Sequence, residues 1–142
     1  MRLFLDANVI FSAAYCEEGR AQDLIALAGR GRCGLFSSAH ALEEARRNLV
    51  LKAPGHEKRL ADALARIEMV AEAPAAVVEW ARRQGLPPKD APILAAAVLA
   101  RAEALVTGDA RDFGHLYDHT VRGVQVVTLA RALAMVLGQA KI

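Results

Sequence analysis

Three short apolar runs in this chain are closed by polar residues but scarcely interrupted by them. Leu3-Phe4-Leu5 ends at Asp6, residues 104–107 run into Gly108 and Asp109, and residues 124–127 run into Thr128. A strand with one wet face alternates apolar and polar side chains, whereas a strand covered on both faces does not. Helical segments lie between the runs, so strand and helix alternate along the chain. That combination places helices on both faces of a mainly parallel sheet. The expectation is an α/β three-layer sandwich, helices–sheet–helices, with four or five strands. Its 142 residues fit a single domain over 1–142. A chain of this size buries roughly 68–70% of its unfolded surface, enough for a core without disulfides or metal staples.

The coarse assignment places further strands at residues 32–36 and 69–71. Helices are expected over 8–15, 20–29, 57–68 and 74–84, and onward from Asp90. Ser37 or Ser38 can cap a helix running to Lys52, and Thr128 a closing helix to Gly138. Pro54-Gly55 and Pro87-Pro88 punctuate the chain. Internal repeats, low-complexity tracts and linkers are absent.

Charge excludes one broad class. Eighteen basic and sixteen acidic residues leave a net charge of +2, too balanced for a bulk electrostatic binder of nucleic acid. Any such contact has to be local. Arg46, Arg47, Arg82, Arg83, Lys89 and Arg111 are the candidates for a phosphate-binding groove, and each reads equally well as part of a solvated face. Cys16 and Cys33 fit neither a disulfide framework nor a CxxC metal site, and are expected as two buried free thiols. No apolar run reaches the roughly 18 residues of a membrane span. Asp6 breaks the N-terminal apolar stretch too early for a signal peptide. The expectation is a soluble, cytoplasmic protein that makes no membrane contact.

In an open parallel sheet, ligands bind beyond the carboxyl ends of the strands. Asp6 follows the first strand, Asp109 follows the 104–107 strand, Asp112 lies three residues on, and Asp90 opens the preceding helix. Asp90 alone reads as a helix N-cap, and Asp109 and Asp112 as turn formers. Asp6 is harder to dismiss, because a carboxylate directly after a buried strand needs a partner. Glu43 and Glu44 both lie off the apolar arc of Leu42, Ala45 and Leu49, so helix periodicity does not choose between them. Other chemistries lack their residues. Phosphate loops and a GxSxG elbow are absent. His40, His56, His115 and His119 form no HExxH motif, and the acid pairs of haloacid-type phosphatases and phospho-receivers are missing, Asn8 standing two residues after Asp6.

LFLDANVIFSA, SSAHALEEARRNL and PPKDAPILAAAVLARAEALVTGDARDF, in this order and spacing, resemble the PIN-domain ribonucleases, VapC-like toxins among them. The likeness runs from Leu3 to about Leu129 and is weakest over residues 54–87. It implies an acidic quartet of Asp6, Glu44, Asp90 and Asp109, with Glu44 preferred to Glu43 because Ala45 and Leu49 follow it in the family pattern. It implies Asp112 as an auxiliary acid and Asn8 and Thr107 as polar neighbours. The metal set it implies is Asp6, Asp90 and Asp109, for Mg²⁺ or Mn²⁺. Asp6 and Asp109 would be direct ligands, and Asp90 would act with Glu44 through water or as a proton acceptor. Arg46, Arg47 and Arg111 are the substrate-binding candidates. The implied activity is metal-dependent cleavage of RNA, as the toxin of a toxin–antitoxin pair, with a cognate antitoxin and a homodimer. The alternative is a non-catalytic RNA- or protein-binding member of the same fold.

Overall fold

The computed structural model describes residues 1–140. Strand β1 (Arg2–Leu5) is central, and its Leu3, Phe4 and Leu5 are buried on both faces. It pairs in parallel with β2 (Gly34–Ser38) on one side and β4 (Ala104–Val106) on the other. β3 (Ile67–Val70) extends the sheet beyond β2, and β6 (Val124–Val127) extends it beyond β4, again in parallel. A two-residue strand, β5 (Thr120–Val121), folds back antiparallel on β6, giving the order β3-β2-β1-β4-β6-β5.

The sheet therefore has six strands, more than the four or five expected. The addition is the short arm of a hairpin, too short to leave a pattern in sequence. Its turn, Arg122-Gly123, has φ of 46° and 84°, the paired positive values that a two-residue hairpin turn of the primed type requires. The Arg122 guanidinium lies 4.0 Å from the centre of the Trp80 ring, which holds the strained arginine in place.

Helices α1 (Ala7–Tyr15), α2 (Arg20–Gly29), α3 (Ala39–Lys52), α4 (Glu57–Leu64), α5 (Ala75–Arg82), α6 (Ala91–Leu99), α7 (Ala110–Phe113) and α8 (Leu129–Ala140) connect and cover the strands. α1 packs on α2, α3 and α4, and α2 on α8, while α5 and α6 pair with each other. α6 is apolar on every side, and Ala91, Ile93, Leu94, Ala95, Ala96 and Ala97 are all buried, as a helix without a polar face must be. This is the α/β sandwich read from the sequence.

Three local readings change. The second strand begins at Gly34 rather than residue 32 and takes in both serines. Ser38 alone caps α3, accepting from Ala41 N at 3.4 Å, while the Ser37 hydroxyl donates to Leu5 O at 2.8 Å. The helix expected to reach residue 68 stops at Leu64, because Ile67 and Glu68 pair with Leu35 and Phe36 in the β2–β3 ladder. Cys33 is buried but Cys16 is exposed, since the chain has already left α1 there in an extended conformation. Thr128 caps α8 as read, accepting from Arg131 N at 3.1 Å.

The order of strands fixes where a ligand can sit. The chain steps outward from β1 to β2 to β3, then crosses back to β4 and β6 on the other side of β1. The direction reverses between β1 and β4, so the crevice beyond their carboxyl ends is the switch point at which open parallel sheets bind ligands. Phe4 lies fully buried in the strand that makes this reversal possible. Phe4→Ala is expected to cost about 3–5 kcal/mol. In urea titration the midpoint should fall while the slope stays unchanged.

Candidate metal centre

The β1–β4 register aligns Leu5 with Val106, so Asp6 and Thr107 emerge side by side beyond the ladder. Asp6 N donates to Val106 O and Thr107 N to Val127 O, each at 3.0 Å. The Asp6 carboxylate is only 2% exposed. Its Oδ1 accepts from Ala7 N at 2.7 Å, which caps α1. Its Oδ2 accepts the Thr107 hydroxyl at 2.7 Å and the Asn8 amide at 3.3 Å. Having given its one proton to Asp6, the Thr107 oxygen acts as acceptor for Asp109 N at 3.1 Å and Asn8 Nδ2 at 3.4 Å. Asn8 Oδ1 in turn accepts from Gly108 N at 2.8 Å. One hydroxyl thus links the ends of two strands and fixes Asp109. Burial raises the Asp6 pKa, the Thr107 and Ala7 bonds oppose it, and the charges of Glu44 and Asp109 add to it.

Asp90 occupies the N-cap position of α6, yet its carboxylate makes no capping bond. Both of its oxygens accept instead from Lys89 Nζ, at 3.1 and 3.0 Å. The same ammonium lies 3.1 Å from Asp112 Oδ2 and 3.7 Å from Asp109 Oδ2. Asp109 caps α7, its Oδ1 accepting from Asp112 N at 3.1 Å. One oxygen from each of Asp90, Asp109 and Asp112 lies within 4.8 Å of the other two. Burial and a hydrogen bond with Asp112 push the Asp90 pKa up to about 7, against the pull of Lys89. Lys89 and Asp90 together hold Asp112 below the usual carboxylate range. For Lys89 itself, burial works against the ammonium but the acids around it prevail and raise its pKa.

The remaining expected residues divide. Glu44 is half-buried, and its charge is felt by both Asp6 and Lys89. Glu43 is exposed and lines a shallow groove with Arg46, Arg47, Val50 and Leu51. The groove bears those two arginines away on the exposed flank of α3. Arg111 is exposed on α7, between Asp109 and Asp112. Arg82 and Arg83 pair with Glu79 along α5, so they read as a solvated face.

Three contributors escaped the sequence. Tyr117 donates to Thr107 O at 3.0 Å; burial and then the charges of Asp109 and Asp6 raise its pKa, which keeps the phenol a donor. His40 Nε2 donates to Lys89 O, and His115 Nε2 to Gln84 O, each at 2.8 Å, clamping the loop that delivers Lys89 and Asp90. A carbonyl accepts only from a protonated ring nitrogen, so Nε2 carries a hydrogen in both rings. Gly85 in that loop has φ 82°, a conformation that favours glycine, and a β-carbon there would crowd His115 Nε2 at 3.0 Å.

The donor set suits a hard divalent ion. The three clustered ligands are all carboxylate oxygens, the class that Mg²⁺ and Mn²⁺ prefer, while His115 and His119 are each committed to a carbonyl. Oxygens around one Mg²⁺ at about 2.1 Å lie no more than about 4.2 Å apart, so the triad needs only small side-chain adjustments to hold one.

The family model for the PIN domain matches residues 2–111. The chain belongs to the PIN domain family. Its fold is shared with PAE2754 from Pyrobaculum aerophilum, at TM-score 0.69 and 18% identity, covering 97% of this chain and 99% of that one. It is also shared with VapBC2 from Rickettsia felis bound to a promoter DNA fragment, at TM-score 0.65 and 16% identity, over 90% and 98% of the two chains. VapC20 of Mycobacterium tuberculosis, a sarcin-ricin loop cleaving toxin, aligns at TM-score 0.55 and 17% identity, over 83% and 98%. No curated protein matches the chain in sequence. Among the described residues, no helix is long and apolar enough to cross a membrane.

Two measurements check the geometry. Thr107→Val removes a hydrogen-bond donor from a buried carboxylate and should cost about 1–3 kcal/mol, while Thr107→Ser keeps most of the stability. In metal-free protein, Asp90 keeps its proton in the folded state up to about pH 7 but loses it near 3.8 when unfolded. The stability it contributes is complete below the unfolded value and lost as pH rises through the folded one. Asp6, also raised, acts with the same sign; Asp112, lowered, acts only below its ordinary range. The metal-free melting temperature should therefore fall as pH rises from about 4 to about 7. Asp90→Asn should flatten that slope.

Proposed function

We propose that this protein is a divalent-metal-dependent endoribonuclease acting as the toxin of a toxin–antitoxin pair. The observation that carries the reading is the gathering of Asp90, Asp109 and Asp112 beside buried Asp6, at the switch point of a PIN-family sheet. The likeness in fold to the toxin VapC20 and to VapBC2 supports it.

Asp90 and Asp109 would hold the ion in this reading, with Asp112 joining them and Asp6 completing the acidic site. A bound Mg²⁺ or Mn²⁺ supplies an activated water and neutralises charge on the phosphate. Thr107 and Asn8 keep the Asp6 carboxylate in one orientation, so it presents a fixed negative edge rather than a mobile one. Glu44 is the acid not bound into the hydrogen-bonded cluster, and it takes the proton from water. In this reading Arg111, exposed beside Asp109, meets an RNA phosphate, and Arg46 and Arg47 meet the RNA only farther out, on the exposed flank of α3. The partner is a small cognate antitoxin that presents an arginine to the acids, since a guanidinium fork can pair with carboxylates in place of metal. We assign the protein to the cytoplasm and to a homodimer.

The test is cleavage of RNA by purified protein. Activity should require Mg²⁺ or Mn²⁺ and stop in excess chelator. Asp109→Asn and Glu44→Gln should each lower the rate by about 10²-fold or more, whereas Glu43→Gln should leave it nearly unchanged. Equal cleavage in chelator, or by Asp109→Asn, would sink the reading; binding of RNA without cleavage would make the protein a non-catalytic member of the fold.

A further inference from the structure

The three aspartates that can hold an ion are not free of cations. Lys89 Nζ stands 3.0–3.1 Å from both oxygens of Asp90, 3.1 Å from Asp112 Oδ2 and 3.7 Å from Asp109 Oδ2. An ion bonded to the same carboxylates at about 2.1 Å needs the space that the ammonium fills. The two cannot both take these oxygens.

We propose that Lys89 is an exchangeable resident cation: its ammonium holds Asp90, Asp109 and Asp112 together in the metal-free protein and swings into solvent when a divalent ion takes them. This rests on the reading of the site as a metal centre. Three features make the exchange feasible. The Lys89 side chain is 55% exposed, so its stem has somewhere to go. Among the described residues, every partner of the ammonium is an acid of the cluster, so nothing retains it once those acids are taken. The backbone, by contrast, is pinned. Lys89 O accepts from His40 Nε2 at 2.8 Å, and Asp90 N donates to Pro87 O at 2.9 Å. Only the side chain has to move, and Asp90 stays in place while it does.

The exchange sets the affinity for metal. A ligand whose site is open only part of the time binds more weakly by that fraction. The lysine therefore lowers apparent affinity while protecting the empty cluster from its own repulsion.

Two readouts other than activity test this. The first is the rate at which an acylating reagent modifies Lys89, followed by mass spectrometry on the tryptic segment between Arg83 and Arg101, with Lys52 and Lys58 as internal references. Mg²⁺ should accelerate modification of Lys89 severalfold and leave the references unchanged. The second is Mn²⁺ titration of the intact chain. Lys89→Met should bind about tenfold more tightly than wild type, and its metal-free melting temperature should drop. Lys89→Gln serves in its place if Lys89→Met folds poorly. If Mn²⁺ binds but Lys89 reacts no faster with Mg²⁺ present, the ion sits elsewhere, beside Asp6 and Glu44, and the exchange is wrong. Unchanged or weaker binding by both variants overturns it as well. If wild type and both variants bind no Mn²⁺ at all, the metal-centre reading itself fails and the exchange falls with it.

Discussion

The tie between Asp6 and the rest of the site depends on one hydrogen bond, from the Thr107 hydroxyl to Asp6 Oδ2. It exists because β1 and β4 lie adjacent and parallel with Leu5 opposite Val106. A shift of one residue would turn either side chain to the other face of the sheet. Asp6 would then cap α1 but have no tie to β4, and Asn8 would lose its bonds to Thr107 and Gly108. The constraint is a property of the sheet, inherited by the site. The burial of Leu3, Phe4 and Leu5 on both faces keeps the register from slipping.

Gathering carboxylates at one place is costly, since like charges at such distances repel by a few kcal/mol per pair at an effective dielectric near 20. The metal-free protein contains that cost by several means. Asp6 accepts three hydrogen bonds, from Ala7, Thr107 and Asn8. Asp90 takes up a proton well above the usual carboxylate range. Lys89 brings a positive charge among the other acids. The same groups are thus capped, bonded and neutralised before any ion arrives, so the cluster can be both a structural joint and a site of chemistry.

The sequence made parts of this legible and hid others for identifiable reasons. Asp6 and Asp109 stood out because each follows a run of buried residues, and Asp90 because it opens an apolar helix; the structure brings these three regions together. Asp112 read as a turn former or an auxiliary acid, but one of its oxygens lies within 4.8 Å of oxygens of both Asp90 and Asp109. Proximity across α7 does not register as periodicity. Glu44 could not be told from Glu43 by helical phase, because both flank the same apolar arc; burial and the charge felt at Asp6 distinguish them. Lys89 looked like one of several surface bases, and only the failure of Asp90 to cap its helix reveals what it does. Strand β5 and the early end of α4 were invisible, since each is set by pairing with a distant segment rather than by local preference.

The site is assembled from parts of very different reach along the chain. Lys89, Asp90, Asp109 and Asp112 lie on one stretch of helix, strand and turn, while the bond from Thr107 to Asp6 joins residues 101 positions apart. Closing a loop costs entropy that grows with its length, so local contacts form before distant ones repay their closure. The three clustered aspartates can meet while the chain is still half-folded. Asp6 joins them only when the first strand has been threaded into the middle of the sheet. The last of these acids to arrive is therefore the first in the chain, and the gathering is complete only in a chain that has finished folding.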